Sequence, residues 1–403
     1  MDESGFLTIG GLFLAAILVA IGAQRLRLPY SIGLVVAGLG IALVAPGTAP
    51  PLTRDLIYFI LLPPLVFEAA IQIPWRPLRR ELPLLLALVT LGVAVASGVV
   101  AAGMHYWAGW SWIGAGLFGV LISATDPVSV IAAFKQWRVE PRLHLLVEAE
   151  SLLNDGVAAV GFAVLTGIAV AGAGAGDVSL GAIGWQLLYT SVGGIGIGVG
   201  VAVPLILVAG GTDDRLVEVT ITTLIAFGAF LVAEHLGCSG VLATLAAGLV
   251  VGNWGFPGTI SDDGRRGVLN HWEYVAFLGN SVIFLLIGGS EARLPIGVVV
   301  EAAALAIGLS LAGRALSVYP MTLAFARTRL AVPWAYKHVL FWGGLRGALA
   351  LALALALPGA VPERATIVAV VFAVVAFSIV VQGLTMGPLI RRLGLIETDA
   401  GHA

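Results

Sequence analysis

The chain holds one cysteine, Cys238, so it can form no internal disulfide and no cysteine-clustered metal site. Charge is almost as scarce. Only 11% of the 403 residues are Asp, Glu, Lys or Arg, against about 25% in a soluble globular protein. The net charge is −2 and no basic run occurs, which gives a nucleic acid nothing to bind. No HExxH sequence is present, and none of the six histidines is expected near the acids singled out below, which argues against an intramembrane enzyme. The start, with Asp2 and Glu3, lacks the basic n-region and small-residue cleavage site of a signal peptide, so the first apolar segment reads as a retained span. The longest polar interval, near 253–271, is too short for a soluble domain.

Apolar residues fill what charge leaves. They make up 59% of the chain, and mean hydropathy is +1.02. Stretches near 20 residues recur from end to end, the length that crosses about 30 Å of hydrocarbon. The fold class is an all-α polytopic membrane protein, read as a single transmembrane domain over residues 1–403. Thirteen spans are expected near 5–23, 30–46, 55–72, 82–104, 112–134, 142–170, 181–209, 216–235, 238–254, 272–290, 296–326, 336–357 and 364–390.

Basic residues test that segmentation, because cytoplasmic loops carry the excess of Lys and Arg. Odd-numbered loops and the C-terminal tail hold sixteen: Arg25, Arg27, Arg76, Arg79, Arg80, Lys135, Arg138, Arg142, Arg215, Arg265, Arg266, Arg327, Arg329, Lys337, Arg391 and Arg392. Even-numbered loops hold three, Arg54, Arg293 and Arg364. The alternation favours an N-terminus outside and a C-terminus in the cytoplasm, and sets the aromatic run HYWAGWSW (105–112) at the outer interface. An internal repeat is also visible. LPYSIGLVVAGLG (28–40) resembles CSGVLATLAAGLVVG (238–252), seven spans on and therefore inverted. Repeat one would cover about 5–170, a linker span 181–209, and repeat two about 216–390. Inverted repeats belong to secondary transporters, which bind substrate near the midplane between broken helices.

Most of the 23 acids fall in loops or at span ends, as do Glu218, Glu234, Glu273 and Glu301, and are expected to be solvated or interfacial, whereas four stand out inside spans: Glu68, Asp126, Glu150 and Asp155. Each ionised side chain at mid-bilayer costs about 2.5–3.5 kcal/mol, so such residues are functional candidates or members of ion pairs. The spans contain only two arginines, Arg314 and Arg346, too few to pair all four. Pro127 in LISATDPVSVIAAF (121–134) should break its helix near Thr125–Asp126, freeing carbonyls beside a hydroxyl and a carboxylate. Its repeat mate, FWGGLRGALALALAL (341–355), surrounds Arg346 with Gly343, Gly344 and Gly347. A carboxylate in one broken helix and a guanidinium in the other would neutralise opposing helix ends; a purely structural Arg346 is the plainer reading. In ESLLNDG (150–156), Ser151 and Asp155 share one helical face and Glu150 and Asn154 the next. Their hard oxygens suit an alkali cation. A carboxylate removed from water holds its proton to higher pH, so a proton competes for the same oxygens. Arg314, alone in AIGLSLAGRALSVY, is the natural counter-ion for Glu150.

Thr125-Asp126-Pro127, then Glu150-Ser151-Leu152-Leu153-Asn154-Asp155-Gly156, then GGLRGALALAL resemble the NhaP/NHE-type sodium/proton antiporters of the monovalent cation:proton antiporter superfamily, in its Asn-Asp branch. The resemblance runs through nearly the whole chain. It implies the NhaA-like antiporter fold, with two inverted repeats, crossed broken helices, a six-helix core domain and a dimerisation domain, and a homodimer in the plasma (inner) membrane. It implies that Asp155 binds cation and proton in turn beside Asn154, with Asp126 and Thr125 lining the site. By the same likeness Ser151 and Glu68 join Asp155 and Thr125 as Na+ ligands, and Glu150 pairs with Arg314 or Arg346. The long cytoplasmic tail of many members is missing from the sequence, so regulation by a tail is not expected.

The function expected is alternating-access exchange of a monovalent cation, Na+ before Li+ or K+, for H+. With Asn154 neutral, one-for-one electroneutral exchange is the simplest stoichiometry. No cofactor is expected beyond the transported ions. A K+/H+ antiporter of the same fold and a passive cation channel remain as alternatives; an organic-anion carrier is disfavoured by the clustered acids.

Overall fold

The computed structural model describes residues 30–44, 52–128, 139–171, 180–291 and 296–396, with scattered positions between 10 and 25 and at 130, 131 and 134. About half of the expected first span therefore lies outside the described residues, as do Arg27, Lys135, Arg138 and Arg293 of the charge pattern. The described residues form helices and the turns between them. In chain order we label α1 Tyr30–Val44, α2 Leu56–Gln72, α3 Trp75–Ala108, α4 Trp112–Leu121, α5 Pro141–Ala171, α6 Leu180–Ala209, α7 Arg215–His235, α8 Gly240–Gly258, α9 Asp262–Glu291, α10 Ile296–Ala324, α11 Trp334–Trp342, α12 Ala348–Leu355 and α13 Arg364–Arg392. Among the described residues, eight helices are long and apolar enough to cross a membrane, and α1, α2 and α4 are shorter apolar helices.

Local chemistry sets the helix ends. At Gly109 the backbone turns left-handed (φ 71°) and closes α3, a conformation that costs glycine nothing. Two residues later the Ser111 hydroxyl caps α4 by accepting from the Gly114 N–H. Helix α9 departs from the sequence reading. It begins at Asp262, ten residues before the expected 272, so much of the polar interval 253–271 is helical. Ser261 caps it at Gly264 N, and Asp262 and Asp263 sit in its first turn, where acids complement the helix dipole. Glu218, expected to be solvated, is fully buried because its carboxylate accepts from both the N–H and the hydroxyl of Ser261, each at 2.8 Å.

Small residues fix how the helices cross. In lipid, association rests on close van der Waals contact, and glycine lets backbones approach. A Cβ at Gly38 of α1 would lie 2.0 Å from Leu285 O of α9, and one at Gly288 would lie 2.0 Å from Val35 O. Helices α2 and α8 meet in the same way: a Cβ at Gly252 would fall 2.1 Å from Ile71 O, and one at Gly248 lies against Ala70. Gly194 and Gly198 press α6 onto the α8 backbone within this one chain, so their GxxxG spacing serves internal packing.

Apolar side chains form two clusters. The larger runs through α3, α4, α5 and α10–α13, reaching parts of α1, α2 and α9. The smaller joins α6–α9 to Phe67 and Ile71 of α2, with Phe67 against Trp272 at 4.7 Å between ring centres. Four spans contain π-helical turns, at Leu56–Leu61, Leu88–Gly92, Val251–Gly255 and Ser378–Gln382. None of these was expected.

Replacing Gly198 by Val should force α6 away from α8, because its Cβ would lie 2.1 Å from Ala243 O. Overpacking of this kind costs about 1–3 kcal/mol, read as a lower melting temperature of the detergent-solubilised protein. Gly196→Ala, where a Cβ meets nothing within 4 Å, is the control and should melt with the parent.

Candidate functional site

Two chain breaks meet in the middle of the bundle. After α4 the helix stops at Leu121, and residues 122–127 are non-helical before helical positions resume at 128. After α11 it stops at Trp342, and residues 343–347 are unwound before α12. The breaks hold each other: Asp126 N–H donates to Leu345 O at 2.7 Å. Arg346 Nη1 donates to the carbonyls of Ser123 (2.8 Å) and Ala124 (3.2 Å), oxygens left without helical partners by the break. The Asp126 carboxylate accepts from Val128 N–H at 2.9 Å and from the Ala348 N–H that opens α12. Each charge therefore faces the helix end of opposite polarity in the two interrupted segments.

Glycines make room for this. A Cβ at Gly347 would lie 2.1 Å from Asp126 Oδ2, and one at Gly344 would lie 2.6 Å from Arg314 Nε. Both positions admit only a hydrogen where a charged side chain passes.

Helix α5 brings ESLLNDG against the crossing. Glu150, 3% exposed, forms a two-pronged pair with Arg314 of α10 at 2.6 and 2.8 Å. The same guanidinium also donates to Leu340 O through Nε and Nη2, at 3.2 and 2.8 Å. One turn on, Asn154 Nδ2 donates to Ser123 O at 2.9 Å and to Thr125 Oγ1 at 3.2 Å. Thr125 Oγ1 donates to Ser151 Oγ at 3.2 Å, while Ser151 Oγ donates to Thr125 O. Asp155 accepts from the Thr125 N–H. Among the described residues, Asn154 Oδ1 and Asp155 Oδ1 are buried without a hydrogen-bond partner. A buried oxygen left unpaired costs free energy unless something donates to it or is coordinated by it. These two are hard oxygens on consecutive residues, the donor type an alkali cation takes.

A cavity of about 270 Å³ opens beside them. Asp126, Asp155 and Glu68 line it, joined by three residues the sequence reading did not assign to the site: Glu148 of α5, and Glu273 and Asn280 of α9. Among the described residues no Lys or Arg lines it, so the field of these acids attracts cations. Ser151 and Asn154 lie behind this wall, 2% and 1% exposed. Glu68 stands across from Asp155 on α2, and its Oε1 accepts from Gln72 Nε2. A second cavity of about 450 Å³ shares Glu68, Ile131 and Glu148 with the first and reaches Arg80, Glu81 and Arg142 at one end of the bundle. His144, one turn before Glu148, also lines it and stands 3.8 Å from that carboxylate. A histidine is thus closer to the site than expected. Helical spacing carried the signal, since 144, 148, 151 and 155 follow one face of α5.

Comparison with known proteins gives one answer. Residues 12–392 match the family described as "Sodium/hydrogen exchanger, transmembrane". The chain is 37% identical to the Na(+)/H(+) antiporter ApNhaP of Aphanothece halophytica, over 96% of this chain and 75% of that one. It is 34% identical to the Na(+)/H(+) antiporter NhaP of Pseudomonas aeruginosa, over 94% and 95% of the two chains. Its fold resembles the solved structure of the sodium proton antiporter MjNhaP1 from Methanocaldococcus jannaschii, with a TM-score of 0.75 over 97% of this chain and 99% of that one. At 19% identity that likeness speaks for the fold alone.

Breaking the Glu150–Arg314 pair should cost about 3–5 kcal/mol, because the surviving charge stays buried without its partner. Glu150→Gln and Arg314→Met should each melt well below the parent in detergent. The double variant Glu150→Leu/Arg314→Met should recover part of that loss; equal melting of all four proteins would remove the pair from the stability of the fold.

Proposed function

The chain belongs to the sodium/hydrogen exchanger family and is a Na+/H+ antiporter, and we propose that Asp155 carries both ions in turn as the protein alternates access across the membrane. It is a multi-pass membrane transporter, not an enzyme. The observation that carries the reading is the pair of buried, unpartnered oxygens on Asn154 and Asp155 beside an acid-lined cavity at the crossing of two broken helices.

The cycle follows from charge. Ionised Asp155 is expensive to move through hydrocarbon, whereas Asp155 neutralised by Na+ or by H+ is not. Only loaded states cross, which couples the two fluxes. Asp126 accepts from two backbone N–H groups at helix starts, which offset part of the cost of burying its carboxylate, and it is proposed to keep one protonation state through the cycle. Asn154 adds an oxygen without a charge. One carboxylate therefore exchanges one Na+ for one H+, without net charge movement. Thr125 and Ser151 complete the site by rotating their hydroxyls from each other toward the ion, and Glu68 on the facing wall is the residue that hands the ion over.

The architecture we propose is thirteen crossings arranged as two inverted repeats, about 5–170 and 216–390, linked by α6. In support, α1 meets α9 through the Gly38 of its AGL sequence, and α8 meets α2 through the Gly248 of its own. Under the repeat those contacts are equivalents of one another. A core of α3–α5 and α10–α13 then moves against α2 and α9, whose side chains form the opposite cavity wall. Placing the Arg76–Arg80, Arg142 and Arg265–Arg266 end in the cytoplasm of a cell bounded by its inner membrane makes the present cavity inward-facing. The membrane-exposed face of α6, with Leu188, Val192, Ile195 and Val199, is the contact of a homodimer.

In proteoliposomes Asp155→Asn should abolish Na+-driven proton flux while Na+ binding to the parent weakens as pH falls, about tenfold per unit where one proton competes with one ion. Exchange retained by Asp155→Asn would overturn the mechanism. A fluorescent protein fused to the C-terminus should fold and fluoresce in the cytoplasm, and cross-linking through cysteines placed at 192 and 199 should give covalent dimers. A dark fusion or monomers alone would reverse those two assignments.

A further inference from the structure

The last span, α13, changes register beside the crossing. Its backbone widens to a π-helical turn over Ser378–Gln382, a geometry found mostly as single turns at functional sites. That turn faces the unwound stretch 343–347. Ser378 Oγ accepts from Arg346 N–H at 2.9 Å and lies 3.1 Å from Arg346 O and 2.9 Å from Val375 O, either of which can take its proton. One turn later Gln382 Nε2 donates to Trp342 O at 3.0 Å. Two buried side chains, 1% and 3% exposed, thus hold the residues at both ends of the break.

What they hold reaches the ion site in two steps. Arg346 Nη1 donates to Ser123 O, and Asn154 Nδ2 donates to the same oxygen. The amide's contact with that oxygen decides which way Asn154 Oδ1 points. We propose that Ser378 and Gln382 are positioning residues for the cation site: the π-turn fixes Arg346, Arg346 fixes the Ser123 carbonyl, and that carbonyl orients the Asn154 amide. This rests on the reading above that Asn154 and Asp155 receive the cation. Neither residue touches the ion, so their effect falls on its affinity.

The test measures Na+-driven proton flux against Na+ concentration and pH in proteoliposomes of the full chain. Parent, Ser378→Ala, Ser378→Thr, Gln382→Leu and Asp155→Asn are compared. Loss of one such hydrogen bond should raise the half-saturating Na+ concentration about five- to tenfold in Ser378→Ala and Gln382→Leu, with the maximal rate largely kept. Weaker Na+ binding lets protons compete better, so the activity profile should move to higher pH. Ser378→Thr, which keeps the hydroxyl, should restore part of the affinity. A parent-like half-saturation and pH profile in either Ala or Leu variant, even with a reduced maximal rate, would overturn the proposal and leave the two residues as helix glue. Either variant decides it should the other fail to insert. If Asp155→Asn exchanges like the parent, the underlying reading fails instead; if only the π-turn variants match the parent, this inference fails alone.

Discussion

Everything in this protein's centre depends on two helices that stop inside the bundle and complete each other. A helix broken at membrane depth exposes carbonyls and N–H groups that hydrocarbon cannot satisfy. Here Leu345 O takes the N–H of Asp126, Arg346 takes the carbonyls of Ser123 and Ala124, and Asp126 takes the N–H groups of Val128 and Ala348. Each break thus meets part of the other's polar groups, and Asn154, Ser378 and Gln382 meet more. That reciprocity permits non-helical backbone where an ion can reach it.

The acids divide by how completely their charge is met. Glu150 has a guanidinium on both oxygens; it is a strut between α5 and α10. Asp126 is met by backbone dipoles. Asp155 retains a buried oxygen with no partner, and this surplus is what an ion or a proton can relieve. Among the described residues neither Glu150 nor Asp126 keeps such an oxygen, and that difference is why Asp155 is the proposed carrier.

The elements of the site were visible in the sequence to the extent that they violated membrane chemistry. Pro127 inside an apolar run marked the first break, and charges in ESLLNDG marked the helix that faces it. The sequence favoured Arg314 as the partner of Glu150 without excluding Arg346, because both lie in spans and nothing local links either to residue 150. The fold gives Arg314 the carboxylate and Arg346 two carbonyls. Thr125 and Ser151 looked like independent oxygens, yet they bond to each other. Glu273 and Asn280 gave no signal, since an acid near a span end reads as solvated. The burial of Glu218 was hidden for the same reason.

Composition and periodicity by themselves determined that the chain lives in lipid, where its helices run, and which residues are too polar for their surroundings. Those properties follow from the cost of moving each side chain or peptide group out of water, a cost that is local to the residue. Tertiary structure alone decided which polar groups answer one another. The N–H of Asp126 and the carbonyl of Leu345 are 219 positions apart in the chain, and no propensity or spacing acts over such a distance. Their meeting is set by the glycine contacts that fix how the helices cross and by the widened turn in α13 that holds the second break in place.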